Sequence, residues 1–119
     1  MKNLLLLFTL LITLLLVGCS GEKYGAGIDS SAPKVKVKDL FLQQRLLGQR
    51  VTLEGKIGSQ CQSNGCWFFL QDETGQLYID LATNNFSLPP MQNKSVVASG
   101  TVAISQNSIL LIATGVEGK

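Results

Sequence analysis

The chain of 119 residues contains no histidine, so the commonest catalytic base and the commonest metal ligand are both missing. Charge is also scarce, because only 15% of the residues are Asp, Glu, Lys or Arg and the formal net charge is +2. A protein that binds nucleic acid through its charge is expected to carry a clear basic excess. Paired carboxylates at a recognisable spacing, a nucleophile elbow and a phosphate-binding glycine loop are absent as well. The sequence therefore predicts a protein that is not an enzyme and needs no cofactor.

Long apolar runs are confined to the start of the chain. After the positive charge of Lys2, a run of 14 uncharged and largely apolar residues extends from Leu4 to Val17. A helix of that length would reach roughly 21 Å, which is short of the roughly 30 Å hydrocarbon core of a bilayer. A positive start, a short apolar run and small residues at its end are typical of a secretory signal. We therefore expect residues 1–18 to be a signal peptide.

The apolar run closes on Leu16-Val17-Gly18-Cys19, which resembles the lipobox of bacterial lipoproteins. The resemblance implies cleavage before Cys19, a lipid such as palmitate on that cysteine, and attachment to the membrane through the lipid. In the lipoproteins that this sequence resembles, a residue other than Asp after the cysteine, here Ser20, implies sorting to the outer membrane, facing the periplasm. An ordinary secreted protein with an incidental cysteine is the alternative.

The next segment, from Ser20 to about Lys36, is rich in Gly, Ser, Ala and Lys, with a single Pro33. This composition predicts that residues 19–36 are a lipidated N-terminus and a flexible tether. An extended arm packed on the folded domain is the alternative.

The folded domain is expected at residues 37–119 and to begin with one short helix. The segment "VKDLFLQQRLLGQ" has apolar residues near helical spacing, Asp39 as a candidate N-terminal cap and Gly48 as a candidate C-terminal cap. We expect the helix at about residues 40–47, covering the end of a barrel.

From Arg50 onward, apolar residues recur with a period of two, which is typical of half-buried strands. The residues expected to face inward are Val51, Leu53 and Ile57 in one strand and Leu77, Ile79 and Leu81 in another. The strands "CWFFLQD" and "SILLIAT" are apolar on both faces, which predicts that they are covered on both sides, at least in part. Gly55 and Gly100 fall at inward mid-strand positions, as sharply bent strands of a small barrel require. Asp72 to Gly75 predicts a type I turn with Gly75 in the left-handed conformation.

Five strands with a longer excursion at 82–93, after the third, match the five-stranded OB barrel. The stretches "VTLEGKI", "LQDETGQLYIDL" and "SVVASGTV" resemble the OB domains of the anticodon-binding-like group over about 65 residues. The resemblance implies an all-β fold, a small five-stranded OB barrel with the leading helix. The pattern of Cys61, Gly65, Cys66 and Trp67 also resembles uncharacterised bacterial envelope proteins with a G-C-W motif, which implies a location but no activity.

Two cysteines, Cys61 and Cys66, remain once Cys19 is assigned to the lipid, and an even number in an exported chain favours a disulfide. They flank a four-residue hairpin tip, residues 62–65, which would set them opposite one another at a distance that a disulfide tolerates. One alternative is a redox-active dithiol, although the hairpin offers no helix N-terminus or positive charge to lower a thiol pKa. Another is a soft-metal site for Cu(I), helped by Met91. A structural zinc site would lack ligands.

OB barrels commonly bind ligands across the second and third strands. Trp67, Phe69 and Tyr78 lie there, and their rings could stack on bases, sugars or a peptide. One of the two alternating sets, Trp67 and Phe69 or Phe68 and Leu70, must fill the barrel. The open question is whether the helix at 40–47 covers the other set or leaves it exposed.

Two functions follow from this arrangement. The first is an envelope lipoprotein whose OB domain binds a protein or another envelope component. The second is a nucleic-acid-binding OB module, which the compartment and the near-neutral charge disfavour. Exposed Lys and Arg beside Tyr78 would favour the second function, and their absence would favour the first.

Overall fold

A computed structural model describes residues 21–119, which form one α-helix, two 3₁₀ turns and six strands. The strands are β1 (Lys23–Gly25), β2 (Arg50–Gln60), β3 (Trp67–Asp72), β4 (Gly75–Asp80), β5 (Ser95–Ser105) and β6 (Ser108–Gly118); the helix is α1 (Val37–Leu42), and the 3₁₀ turns are Gln44–Leu46 and Ala82–Asn84. The expected signal peptide at 1–18 and the expected lipidation site Cys19 lie outside the described residues. Within 21–119, no helix has the length and hydropathy needed to cross a bilayer.

Strands β2 to β6 close on themselves into a barrel. β2 pairs antiparallel with β3 and β5, β3 with β4, and β5 with β6. The circle is completed by a parallel pairing of β4 with β6, in which Tyr78 lies opposite Leu110. This arrangement confirms the all-β class and the five-stranded OB barrel with one short helix.

Alternate side chains from every barrel strand fill the interior. The six residues expected to face inward are all buried, with at most 1% exposure: Val51, Leu53, Ile57, Leu77, Ile79 and Leu81. On β3 the buried set is Phe68 and Leu70, both with 0% exposure. Trp67 and Phe69 are therefore on the outer side of the same strand, where they are half-buried.

Gly55 and Gly100 lie in mid-strand where a neighbouring strand approaches the backbone closely. A Cβ atom on Gly55 would lie 2.4 Å from the carbonyl oxygen of Gln71, and one on Gly100 would lie 2.3 Å from that of Ile112. Gly100 also borders a shift of register between β5 and β6. Glycine is thus required at both positions by close contact between strands, as expected for sharply curved strands.

The helix begins and ends earlier than the sequence predicts. α1 spans Val37–Leu42 instead of residues 40–47, and Gln44–Leu46 form a 3₁₀ turn. Asp39 is not the N-terminal cap: it lies within the first turn, and its carboxylate accepts a hydrogen bond from the backbone N–H of Lys36 at 2.9 Å. The helix covers the barrel with Val37 and Leu40, which are buried.

The start of α1 is set by Asp72, at the end of β3. Its Oδ2 accepts the backbone N–H of Val37 at 2.9 Å, and its Oδ1 accepts the backbone N–H and the hydroxyl of Thr74 at 2.7 and 2.6 Å. The Thr74 hydroxyl accepts the backbone N–H of Lys38 at 3.1 Å. Partial burial raises the pKa of Asp72, but the hydrogen bonds from Thr74, Val37 and Gly75 outweigh it and hold the pKa below its usual value. A turn distant in sequence therefore caps the helix, which local spacing could not reveal.

The β3–β4 hairpin turns through only two residues, with Asp72 opposite Gly75. The sequence predicts a left-handed Gly75, but Gly75 is the first residue of β4 and does not have a positive φ. The prediction was wrong because the Asp72 carboxylate bonds the N–H groups of Thr74 and Gly75 itself, and no left-handed residue is needed.

Residues 21–36 lie along the barrel, which differs from the flexible tether that the composition predicts. β1 pairs antiparallel with β6. Asp29 accepts a hydrogen bond from the Arg50 guanidinium at 2.8 Å, and its backbone N–H donates to the Ser99 hydroxyl at 3.0 Å. The folded part of the chain therefore begins well before residue 37.

The glycines of this segment serve close packing. A Cβ on Gly115 of β6 would lie 1.9 Å from the carbonyl oxygen of Gly27, and a Cβ on Gly25 would lie 2.7 Å from that of Thr114. Gly25 and Gly27 also have positive φ values of 64° and 74°, which favour glycine. Glycines that suggest flexibility in a sequence here allow an arm to lie directly on a strand.

Candidate ligand-binding face and cysteine loop

Three aromatic rings cover the outer face of β3 and β4. Trp67 stacks on Tyr78 with ring centroids 5.7 Å apart, while Phe69 meets Trp67 and Tyr78 edge to face at 5.9 and 5.5 Å. All three are half-buried. The cross-strand pairing of Phe69 with Tyr78 sets two of these rings side by side. The structure therefore brings together the three residues that the sequence singles out for ligand binding.

A groove of about 750 Å³ borders two of these rings. Its lining includes Phe69 and Tyr78 of the sheet, Phe41 of α1 and the β5–β6 turn at 105–108. Trp67 is not among the lining residues and packs beside the groove against Tyr78. Phe41 is 53% exposed, so a large apolar ring is available to a ligand at the groove edge.

The groove carries no formal charge. Among the described residues that line it, the polar ones are Gln76, Tyr78, Ser105, Gln106, Asn107 and Ser108, and none is Lys, Arg, Asp or Glu. Burial raises the pKa of Tyr78, and the Asp80 carboxylate raises it further, so the phenol keeps its proton at neutral pH. The groove thus combines aromatic rings with neutral donors and acceptors.

Phe41, Ile109 and Leu110 line the groove but were not predicted as site residues. Leu110 reaches it because β6 runs parallel to β4 and sets Leu110 opposite Tyr78. The OB pattern itself implies this parallel pair of strands, so it was a usable signal. Phe41 had no such signal, since its position depends on the capping of α1 by the β3–β4 turn.

The cysteine loop, residues 61–66, connects β2 with β3. The nearest strand pair is Gln60 with Phe68, and a register shift in β2 precedes it. Cys61 and Cys66 therefore lie in the loop and are not a directly opposed strand pair around a four-residue tip. The extra residue in β2 causes this offset, and it aligns the Cys61 N–H with the Trp67 carbonyl oxygen at 3.1 Å.

The two cysteines are present as thiols whose sulfur atoms lie 3.6 Å apart, with the Cys66 thiol donating to the Cys61 sulfur. Cys61 Sγ also lies 3.4 Å from the Ser63 hydroxyl and 3.1 Å from Oδ1 of Asn64. Cys61 lines an open cleft of about 500 Å³ with Leu88, Pro90 and Gln92, whereas Cys66 does not line it. Both cysteines are partly exposed, and only Cys61 contributes to this cleft.

They also differ in acidity. The Ser63 hydroxyl, with the backbone N–H groups of Asn64 and Cys66, lowers the pKa of Cys61 to about 6. Desolvation raises the pKa of Cys66, and the hydrogen bond with Cys61 raises it further. The sequence offered no helix N-terminus or cation to lower a thiol pKa, but the loop itself supplies hydrogen bonds that do so. This depends on the loop conformation, which residue types alone do not specify.

The described residues include no group of three or more Cys, Asp or Glu that could hold a metal ion. Met91, which the copper interpretation invokes, packs against the hydrophobic core. Its backbone N–H donates to the side-chain carbonyl of Gln60 at 2.9 Å.

Comparison with solved structures places the chain among OB folds. It is similar to the structure of the hypothetical protein ygiW from E. coli, with a TM-score of 0.56 and 15% identity over 76% of this chain and 100% of that one. It is also similar to a putative aspartyl-tRNA synthetase from Leishmania major Friedlin, with a TM-score of 0.58 and 13% identity, over 78% of this chain but 22% of that one. No protein-family model and no curated protein sequence matches the chain. At these identities the likeness supports the fold alone.

Proposed function

We propose that this protein is an envelope lipoprotein whose OB domain is a non-catalytic binding module for a protein or another envelope component. The observation that carries the proposal is the uncharged aromatic groove formed by Phe41, Phe69 and Tyr78. Grooves of this volume that combine apolar walls with a few neutral polar groups are typical of ligand sites.

The neutral lining favours an uncharged ligand segment over nucleic acid. OB folds that bind single strands combine stacking rings with a positively charged groove along the backbone. Here the rings are present, but Lys and Arg are missing from the described lining. A sugar ring or an apolar peptide side chain fits rings bordered by amides and hydroxyls, because it needs stacking and neutral hydrogen bonds only.

A photo-crosslinking experiment tests the groove directly. A benzoylphenylalanine at position 41 lies on the groove edge, whereas the same residue at position 42 is equally on α1 and replaces Leu42, which is 75% exposed but not part of the lining. We expect a discrete crosslinked product in intact envelopes from position 41, loss of that product with Tyr78→Ala, and none from position 42. Equal products at both positions, or a product indifferent to Tyr78→Ala, would overturn the proposal.

Trp67 is the chain's single tryptophan and reports on the same face. Titration with an oligo-dT single strand should leave its fluorescence unchanged. A saturable change that weakens steeply with salt would instead assign the groove to nucleic acid.

The anchor belongs to the same proposal and rests on the sequence Leu16-Val17-Gly18-Cys19. The lipid on Cys19 would hold the domain at the outer membrane, facing the periplasm. Cys19→Ala should abolish acylation, detected by mass spectrometry, and release the protein from the membrane fraction. If Cys19→Ala is processed as the wild type is, and the wild type carries no acyl mass, the anchor is removed from the proposal.

We also propose that Cys61 and Cys66 become a disulfide after export, because the compartment is oxidising and the sulfurs are 3.6 Å apart. Forming the bond requires them to approach by only about 1.5 Å, to the usual length near 2.05 Å. The bond would fix the cysteine loop and the start of β3 at Trp67. Thiol counting on protein purified without reductant, with metal analysis of the same sample, checks this; two free thiols with stoichiometric copper would support the soft-metal alternative instead.

A further inference from the structure

The cysteine loop holds its two sulfurs in different chemical settings, and this asymmetry has a use beyond ligand binding. Cys61 lines the cleft of about 500 Å³, while Cys66, which is also partly exposed, does not line it. The thiol of Cys66 donates its hydrogen to the sulfur of Cys61. One sulfur is therefore placed to meet an incoming molecule, and the other is placed to attack the first.

We propose that the cysteine loop is a thiol–disulfide exchange site, in which Cys61 attacks an accessible disulfide bond of a substrate and Cys66 resolves the product. This proposal is independent of the ligand groove. In this proposal the Cys61–Cys66 disulfide is not an inert cross-link. It forms by way of a mixed disulfide between Cys61 and the substrate.

The reaction has two balanced steps. The Cys61 thiolate attacks one sulfur of R–S–S–R, a Cys61–S–S–R bond forms, and R–S⁻ leaves. The Cys66 sulfur then attacks Cys61 Sγ, its proton passes to the leaving thiolate, and the second R–S leaves. The dithiol is oxidised to a disulfide by two electrons, and the substrate disulfide is reduced to two thiol groups.

Contacts within the loop support the assignment of Cys61 as the nucleophile. The Ser63 hydroxyl and the N–H groups of Asn64 and Cys66 surround its sulfur and stabilise negative charge there. The Asn64 amide accepts from the thiol through Oδ1; a half-turn of that amide would present its N–H₂ group to the thiolate. Thiolates are the reactive form in exchange, so the attack requires this kind of setting.

Backbone hydrogen bonds hold the cysteine loop beside Leu81 and Leu88. The N–H of Leu88 donates to the carbonyl oxygen of Gly65, and the N–H of Leu81 donates to that of Cys66, both at 3.0 Å. Gly65 has a φ of 63°, and a Cβ there would lie 2.0 Å from the Leu88 carbonyl oxygen. A fixed backbone with two near sulfurs favours rapid resolution of a mixed disulfide, because the second attack is intramolecular.

Alkylation of the reduced protein tests which sulfur reacts. With iodoacetamide at pH 6 and peptide mapping, Cys61 should react about tenfold faster than Cys66, because its greater thiolate fraction outweighs its lower intrinsic nucleophilicity. Ser63→Ala should slow Cys61 and move its pH profile upward, whereas Gln62→Ala, a neighbouring loop change, should not. Equal rates at the two cysteines, or a faster Cys66, would overturn the assignment.

Oxidised glutathione tests the two-step reaction. The reduced wild-type protein should end as an intramolecular disulfide without bound glutathione, Cys66→Ser should retain one glutathione on Cys61, and Cys61→Ser should react at least several-fold more slowly. Circular dichroism and Trp67 fluorescence confirm that each variant is folded. A folded Cys66→Ser protein that acquires no glutathione would refute the proposal, and this outcome leaves crosslinking from position 41 unaffected.

The same Cys66→Ser variant identifies the source of the disulfide in cells. An adduct with the mass of a small thiol identifies a low-molecular-weight substrate. A larger, reductant-sensitive product on a non-reducing gel identifies a protein substrate. Absence of any adduct on Cys61 in an oxidising envelope would contradict exchange at this site.

Discussion

The two faces of β3 both carry large apolar residues but differ in what surrounds them. Phe68 and Leu70 are completely buried on the inner face, whereas Trp67 and Phe69 are half-buried on the outer face. Both sets are apolar, so hydrophobicity does not distinguish them. The difference lies in what covers each face: the barrel closes over one, whereas the rings of the other contact one another and Phe69 borders an open groove. A large apolar side chain here contributes to folding on one face and is available for binding on the other.

The largest contrast is expected between Phe68→Ala and Phe69→Ala, a matched pair on adjacent positions. Phe68 has 0% exposure, so its truncation should lower the free energy of unfolding by about 3 to 5 kcal/mol through lost burial and a cavity. Phe69→Ala should cost about 1 kcal/mol, consistent with lost ring contacts on an open face. Urea unfolding followed by circular dichroism measures both. Equal losses would mean that the outer face is part of the core.

The next effect concerns the close strand contacts behind the inner face. Gly100→Ala places a Cβ at 2.3 Å from the Ile112 carbonyl oxygen and should destabilise by about 1 to 3 kcal/mol, because a backbone must shift. Gly58→Ala is the control, since its Cβ would meet no atom nearer than 3.6 Å. We expect Gly58→Ala to change stability little in the same unfolding assay. A tolerated Gly100→Ala would contradict tight closure at this point.

Asp72 follows Phe68 and Leu70 on the inner side of β3. Its substitution tests how the barrel positions α1, and with the helix Phe41. Asp72→Ala should lower stability by about 1 to 2 kcal/mol, because the helix loses its cap and the turn loses its acceptor. Since the pKa of Asp72 is lowered on folding, its contribution is complete above the unfolded-state pKa near 3.9 and is lost as the pH falls through the folded-state value. The difference in the free energy of unfolding between the wild type and Asp72→Ala should therefore become smaller at acidic pH. Glu73→Ala, at the exposed neighbour, should change the free energy of unfolding much less than Asp72→Ala.

The smallest effect is the coupling between rings of the outer face. A double-mutant cycle on Trp67 and Tyr78 should give about 0.5 to 1.5 kcal/mol, because the rings stack at 5.7 Å. A cycle on Trp67 and Phe41 should be additive to within about 0.5 kcal/mol. Coupling of the same size in both cycles would show that the outer face acts as a packed unit.

Much of the barrel could be predicted from the sequence, and one further inference was available. The inward residues of β4 are Leu77 and Ile79, and the two-residue turn between Asp72 and Gly75 pairs them with Leu70 and Phe68. Opposed residues in a hairpin share a face, so this register alone would have assigned Phe68 to the interior. The turn and the neighbouring strand could thus have shown which alternating set of β3 residues faces the barrel interior.

Other features depend on contacts between distant parts of the chain. The capping of Val37 by Asp72 joins residues 35 positions apart, so no local pattern indicates where α1 begins. The glycines of residues 21–36 have the composition of a tether, and only the proximity of β6 shows that they serve packing. The acidity of Cys61 likewise depends on how the loop folds its own N–H groups around the sulfur.

If Cys19 carries the proposed lipid, the pairing of β1 with β6 limits the distance between the barrel and the bilayer. The Glu22 carbonyl oxygen accepts the N–H of Gly118 at 2.9 Å, and from Cys19 to Glu22 the chain reaches about 11 Å at most. With a lipid on Cys19, the Gly118 end of β6 would rest at the headgroups. The groove lies beside the other end, at Ser108, and a strand of this length extends up to about 30 Å. The anchored domain would then point its aromatic opening away from its own membrane and present it to molecules that cross the space beyond.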